Sequence, residues 1–331
     1  MARAGRRRRD RVAVYLALVM LAIAAFFSLA TTTFFTLRNF LNLVESYSVT
    51  GIFTMGLLVV LVAGGIDISF LATASVAQYL AVVVSRSLGL DDSFILGVLP
   101  ALAAGAFIGL VNGALIHYLA VVSIIVTIST QSVMFGGLMY SSGGRSIYNL
   151  PGWMYQFSGT LFSVTVGGQR HPIGAAPLVM AVAAVLTFAL LAHTTTGRQL
   201  YAMGGNPEAA RRLGIRLGAL HLFAYGYLGL MAAIGGITQA LRVEEVVPNA
   251  LVGREFDVLA AAILGGASFA GGRGGVAGAI LGVFLIGLLK NGLNLFGVSS
   301  YFSDVIIGPV IVIALCATHL GKRKETDVGF A

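Results

Sequence analysis

Gly197 to Arg216, GRQLYAMGGNPEAARRLGIR, is the one polar passage in the second half of an otherwise apolar chain, and its reading decides the fold. Asn206 is a good helix N-cap, Pro207 is pre-set for the first helical position, and Glu208 sets a negative charge beside the positive end of the helix dipole. Ala209, Ala210, Arg211, Arg212 and Leu213 continue the helix, and Gly214 closes it in the left-handed conformation. At 3.6 residues per turn this gives about two turns at most. A helix so short is unstable alone in water and needs a surface to lie against. Two readings follow: a capped loop joining two membrane helices, or an element that docks on a partner.

The remainder of the chain says what kind of molecule carries that element. Of 331 residues, 57% are hydrophobic and 10% charged, and the mean hydropathy is +0.91, far from the range of a soluble globular domain. This is the composition of a polytopic membrane protein, with 43 glycines for close helix packing and only 7 prolines. The single cysteine, Cys316, lies in an apolar run and excludes an intrachain disulfide or a cysteine metal site. The net charge of +8 does not point to nucleic acid, because the basic residues are dispersed among apolar spans.

Apolar runs of about 17 to 25 residues mark membrane spans. They are expected near 12–30, 47–63, 68–85, 93–116, 119–140, 173–193, 219–240, 256–268, 276–296 and 302–320, about ten in all. Arg3, Arg6 to Arg9 and Arg11, within the basic stretch 1–11, read as a retained cytoplasmic anchor. With that end inside, the cytoplasmic segments, including 194–218 and the tail 321–331, hold 14 of the 21 Lys and Arg, and the outer segments hold six: Arg38, Arg86, Arg145, Arg170, Arg242 and Arg254. Both termini and the polar passage are therefore expected in the cytoplasm.

Three places break the pattern. Gly64 and Gly65 lead into Ile66-Asp67-Ile68-Ser69, where Asp67 either caps the next helix in a tight turn or sits buried with a partner. Gly265, Gly266, Gly271 and Gly272 interrupt a span cut to about 13 residues, too short to cross. The backbone there either leaves helical geometry inside protein or ends early at a cytoplasmic turn. Lys290 falls inside a span, where it can snorkel toward the outer end, and Asn291 and Asn294 are spaced to share a helix face. Thr127, Ser129, Thr130, Gln131 and Ser132 either line a path for a hydroxylated solute or serve as helix-packing contacts. The outer loop 141–172, with Tyr148, Trp153, Tyr155 and Phe157, is long enough to be functional, although such aromatics also anchor interfaces.

There is no G-x-x-x-x-G-K-[ST], no H-E-x-x-H and no nucleophile elbow with a triad, and His117, His171, His193, His221 and His319 lie at or near span ends. Nothing suggests an enzyme or a metal site.

Against that background the chain resembles the permease subunit of bacterial ABC importers of the ribose, xylose and galactose class. Gly64-Gly65-Ile66-Asp67-Ile68-Ser69 resembles the GGIDLS segment, and Gly205-Asn206-Pro207-Glu208-Ala209-Ala210 with Leu213-Gly214-Ile215 resembles the cytoplasmic coupling segment. Phe256 to Gly266 with Gly271-Gly272-Arg273-Gly274 resembles the late glycine-rich element, and Asn291-Gly292-Leu293-Asn294-Leu295 completes the set. Phe70-Leu71 departs from the Val-Gly that usually follows GGIDLS.

The resemblance implies an all-α polytopic membrane protein of about ten transmembrane helices with a short cytoplasmic coupling helix, forming a single permease domain over 1–331. It implies a homodimer or a heterodimer with a second permease, a cytoplasmic ABC ATPase that carries ATP and Mg, and a periplasmic sugar-binding protein, all at the bacterial inner membrane. No cofactor is expected on this chain. Asn206, Pro207, Glu208, Ala209, Arg211, Arg212 and Gly214 are the expected ATPase-coupling residues. Asp67, Ser69, Thr127, Ser129, Gln131, Asn291 and Asn294 are the candidates for the solute path. The alternatives are a nucleoside or autoinducer importer of the same superfamily and, in another class, an ion-coupled secondary transporter.

Overall fold

The computed structural model describes residues 2–166, 169–299 and, beyond these, residues 302, 303, 305, 306, 308 and 309. Twelve helices and one hairpin occur among the described residues. The expected last span, 302–320, together with Cys316 and His319, lies mostly outside them.

Helix α1 runs Ala2–Ala30, with its apolar part from Leu16 onward. Seven helices are long and apolar enough to cross a membrane: α2 (Leu37–Val62), α3 (Phe70–Ser87), α4 (Phe94–Leu119), α5 (Ser123–Ser142), α7 (Ala176–His193), α10 (Leu217–Val243) and α12 (Val276–Leu295). The eighth segment read as a span is α11 (Glu255–Leu264), whose 10 residues reach about 15 Å, half of a bilayer core.

The centre of the bundle is α2, buried on every side from Gly51 to Val62, which explains why its sequence is apolar all round rather than striped. Helix α10 packs on α4, α2 and α3. On α4, Gly105, Gly109 and Gly113 recur every four residues, and a Cβ at any of them would collide with the α10 backbone at Gly229, Tyr225 and His221 respectively. Contact this close is how helices associate in lipid without a hydrophobic drive between them. By contrast α4, α5 and α7 leave large apolar side chains such as Phe107, Ile128, Val185 and Phe188 exposed, as a lipid-facing surface requires.

Two elements depart from the sequence reading. Helix α8 (Thr195–Gly205) occupies most of the polar passage, started by Thr194, whose hydroxyl accepts from Gly197 N at 2.9 Å. The long loop is ordered: α6 (Gly152–Ser158) is followed by an antiparallel pair, β1 (Phe162–Val166) and β2 (Gln169–Ile173). Trp153 is fully buried, with its ring 5.5 Å from that of Phe94 and its indole N–H donating to Ser85 Oγ at 3.2 Å. It fastens the loop to α3 and α4, so of the two readings of this aromatic, anchoring is the one its packing matches. A backbone bridge between Ile147 and Val246 ties the same loop to the connection after α10.

Candidate functional site

The polar passage forms α9 (Pro207–Arg212), with both caps in place. Asn206 Oδ1 accepts from Ala209 N at 3.0 Å. At the other end Gly214 has φ +79°, Gly214 N donates to Arg211 O and Ile215 N donates to Ala210 O, the double closure of a Schellman motif. Only Ala210 of α9 is buried; Pro207, Glu208, Ala209, Arg211 and Arg212, with the neighbouring Leu213, face outward. The expected coupling residues therefore form one continuous exposed surface.

Beside α9 glycines from three parts of the sequence meet: Gly64, Gly204 with Gly205, and Gly271 with Gly272. A Cβ on Gly204 would fall on Val62 O and 2.6 Å from Gly272 N, and one on Gly271 would come within 2.7 Å of Gly64 Cα. Gly272 N donates to Val62 O at 2.9 Å, and Tyr201 Oη of α8 donates to Gly274 O at 2.9 Å. Gly64, Gly271 and Gly272 have φ of +89°, +78° and +67°, which side chains with a Cβ adopt only with strain. The break at Gly265 to Gly275 is a partly exposed turn that ends α11 at Leu264, and its Gly271 and Gly272 pack against the ends of α2 and α8 in one joint. Gly65 stands apart from it, against the Tyr225 hydroxyl.

Asp67 is buried at 3% exposure, and the nearby chain runs as an extended segment. Its Oδ1 accepts from Ser69 N at 2.6 Å and from Ser69 Oγ at 2.7 Å. Asn112 Nδ2 donates to Ser69 Oγ at 2.9 Å, and Thr130 Oγ1 donates to Asn112 Oδ1 at 2.7 Å, so the carboxylate ends a chain of side chains reaching across α4 to α5. Ser123 and Thr127 of α5 accept from the backbone N–H groups of Ile66 and Ile68, at 2.9 and 3.3 Å. Bonds of this kind satisfy the backbone that glycine freed from helix, the condition for irregular chain at membrane depth. Asp67 therefore closes the turn that leads into α3 and is buried within a network, the second of the two sequence alternatives.

The other path candidates are dispersed. Gln131 Nε2 donates to Glu255 Oε1 at 3.0 Å, while Ser129 bonds back to Ile125 O and is exposed. Asn291 and Asn39 exchange two amide hydrogen bonds, at 2.9 and 3.0 Å, whereas Asn294 is exposed and takes no part. Lys290 does not simply snorkel: Nζ lies 2.6 Å from Asp257 Oδ2 on α11, with both side chains largely covered. Asn112, a lone polar residue in an apolar run, and Glu255 and Asp257, which read as charges at the edge of a span, give no sequence signal because the partner of each is on another helix. Among the described residues no three His, Cys, Asp or Glu gather in a way that would hold a metal ion.

The bundle of apolar helices is that of a multi-pass membrane protein, and the chain is similar over nearly its whole length to known permeases. The chain is 32% identical over 307 residues to the ribose import permease protein RbsC of Escherichia coli (strain K12), covering 90% of this chain and 91% of that one. It is 33% identical over 318 residues to RbsC of Bacillus subtilis (strain 168), covering 96% and 94%. It is 32% identical over 321 residues to the autoinducer 2 import system permease protein LsrC of Yersinia enterocolitica, covering 95% and 86%. Residues 39–315 match the family described as branched-chain amino acid transport system / permease component, and the chain belongs to that family of multi-pass membrane permeases.

Proposed function

We propose that this chain is the membrane subunit of an ATP-driven importer that carries a monosaccharide across the bacterial inner membrane. The solutes for which its relatives are named, ribose and autoinducer 2, support a small hydroxylated cargo. In this reading α9 lies in the cytoplasm with both chain termini, and a separate ATPase chain carries ATP and Mg. A second permease, identical or related, completes the pathway, and a periplasmic sugar-binding protein delivers the solute. This chain holds no cofactor of its own. An autoinducer or nucleoside importer is the second reading, favoured by the similarity to the autoinducer permease.

The observation that carries the proposal is α9 itself. A six-residue helix capped at both ends presents Glu208, Arg211 and Arg212 outward and follows directly in the chain on Gly204 and Gly205 of the glycine joint. Charge-assisted contacts from the two arginines to acids on the ATPase would seat it. When the ATPases close, α9 moves with them, and the joint passes that displacement to the end of α2 and to the α11–α12 turn.

The test replaces Glu208 by Lys, which opposes the helix dipole at its first turn, and Ala209 by Asp, which sets a charge on the outward face where the partner's groove meets a methyl group. Co-purification with the ATPase and solute uptake are expected to be lost while membrane insertion is kept. Wild-type values for both would remove the coupling role.

A further inference from the structure

The last turn of α4 and the start of α10 place two histidines side by side. His117 follows Gly113 by one turn, and Gly113 is where the two backbones touch: a Cβ there would lie 2.8 Å from His221 O and 2.9 Å from Leu222 Cα. The imidazole of His117 lies on α10 over Gly218, its Nε2 2.5 Å from where a Cβ would stand, so the ring has its place only because residue 218 is glycine. His221 comes three residues after Gly218, on the same face of α10. The two ring centres are 5.7 Å apart, with the planes tilted by 40°. His221 Nδ1 is buried and has no hydrogen-bond partner.

We propose that His117 and His221 form a binding site for a late first-row divalent metal ion, copper, nickel or zinc, which clasps the end of α4 to the start of α10. The site stands apart from the importer reading and does not depend on it.

Spacing, charge and the stranded nitrogen together choose the ligand. A tetrahedral ion about 2.0–2.1 Å from one nitrogen of each ring holds the ring centres roughly 5–6 Å apart, which the observed spacing matches. A direct N–H···N bond of about 3 Å would draw them closer. The χ2 torsion of histidine is soft, so His117 turns its ring from Gly218 toward a shared ion without leaving its χ1 rotamer. Among the described residues the one titratable group that acts on His221 is His117, so the pair offers imidazole nitrogen and no anionic oxygen. Such a donor set selects copper, nickel and zinc over calcium and magnesium, which need oxygen ligands. An ion also gives His221 Nδ1 the partner it lacks. With two protein ligands, the remaining positions fall to water, the open coordination of an exchangeable ion. Only residues 213–216 separate α9 from α10, so the clasp fixes the root of α10 close to where α9 is attached.

The test uses the full chain without a polyhistidine tag, purified in detergent and stripped with EDTA. One equivalent of Cu²⁺ is added, and electron paramagnetic resonance counts the imidazole nitrogens on the ion. Two are expected from the wild type and one from each of His117→Gln and His221→Gln, with Kd raised about tenfold or more. Saturating Zn²⁺ should raise the Tm of the wild type and leave those of the two variants where they were, while Mg²⁺ shifts none of them. His171→Gln should behave as the wild type in both readouts. If His221→Gln does not elute as folded protein, Gly218→Ala is read in its place, because its methyl group displaces the His117 ring and should weaken binding likewise. The same nitrogen count in His117→Gln as in the wild type, a Zn²⁺ shift that persists in that variant, or an equal shift with Mg²⁺ marks adventitious binding and overturns the proposal.

Discussion

Gly204 and Gly205 are neighbours at the end of α8, and the structure gives them opposite sensitivities. A Cβ at 204 overlaps Val62 O and sits 2.6 Å from Gly272 N, whereas nothing lies within 4 Å of one at 205. Gly204→Ala therefore pushes α8 away from the end of α2 and separates Gly272 N from Val62 O, a hydrogen bond of 2.9 Å. Overpacking costs about 1–3 kcal/mol and the lost bond about 1, while removing a helical glycine returns roughly 0.5. The balance is a loss of about 1.5–3.5 kcal/mol. At roughly 2 °C per kcal/mol for a chain of this size, the Tm falls by about 3–7 °C. Gly205→Ala is expected to leave it unchanged. Thermal unfolding of the two purified variants in one detergent, followed by size-exclusion chromatography, reads the difference. Equal midpoints for the two would refute the account of the joint as a close backbone contact.

Lys290→Met strands Asp257 in a largely covered site and is expected to cost about 3 kcal/mol, whereas Lys290→Met with Asp257→Leu together recovers more than half of that, measured by the same unfolding assay. A silent Lys290→Met would mean that the pair does not form. Trp153→Ala empties a fully buried site and should cost about 3–5 kcal/mol, and Ser85→Ala, which leaves the indole N–H without an acceptor, about 1–3. If Trp153→Ala unfolds at the wild-type temperature, α6 is not docked as described.

What was legible in the sequence was local. Asn206, Pro207 and Gly214 announce α9 because caps act over three or four residues, and long apolar runs announce most spans because each must satisfy the same bilayer. The meeting of Gly64, Gly204 and Gly271 was not legible, since those residues are brought together by packing across the whole bundle. Arg242 and Arg254 read as loop charges because a cation closes an apolar run, yet α10 continues past Arg242 to Val243 and Arg254 leads directly into α11. Helix α8 was hidden by three glycines in 11 residues, which lower helix propensity until tertiary packing overrides it. The hairpin left a usable signal: Phe162-Ser163-Val164-Thr165-Val166 alternates β-forming residues and is followed by Gly167-Gly168, a strand and a turn missed because the loop was read by its aromatics.

The caps of α9 have a consequence for kinetics. Because Asn206 and Gly214 close the helix within the free chain, its ordering entropy is spent before any partner arrives. Association then resembles the collision of two preformed bodies rather than folding upon binding, and substitutions on the outward face register in the lifetime of the complex more than in its rate of formation. A cap removed at Asn206 acts differently: in the coupling role proposed above it moves the ordering step into the encounter, which then begins with a search through conformations.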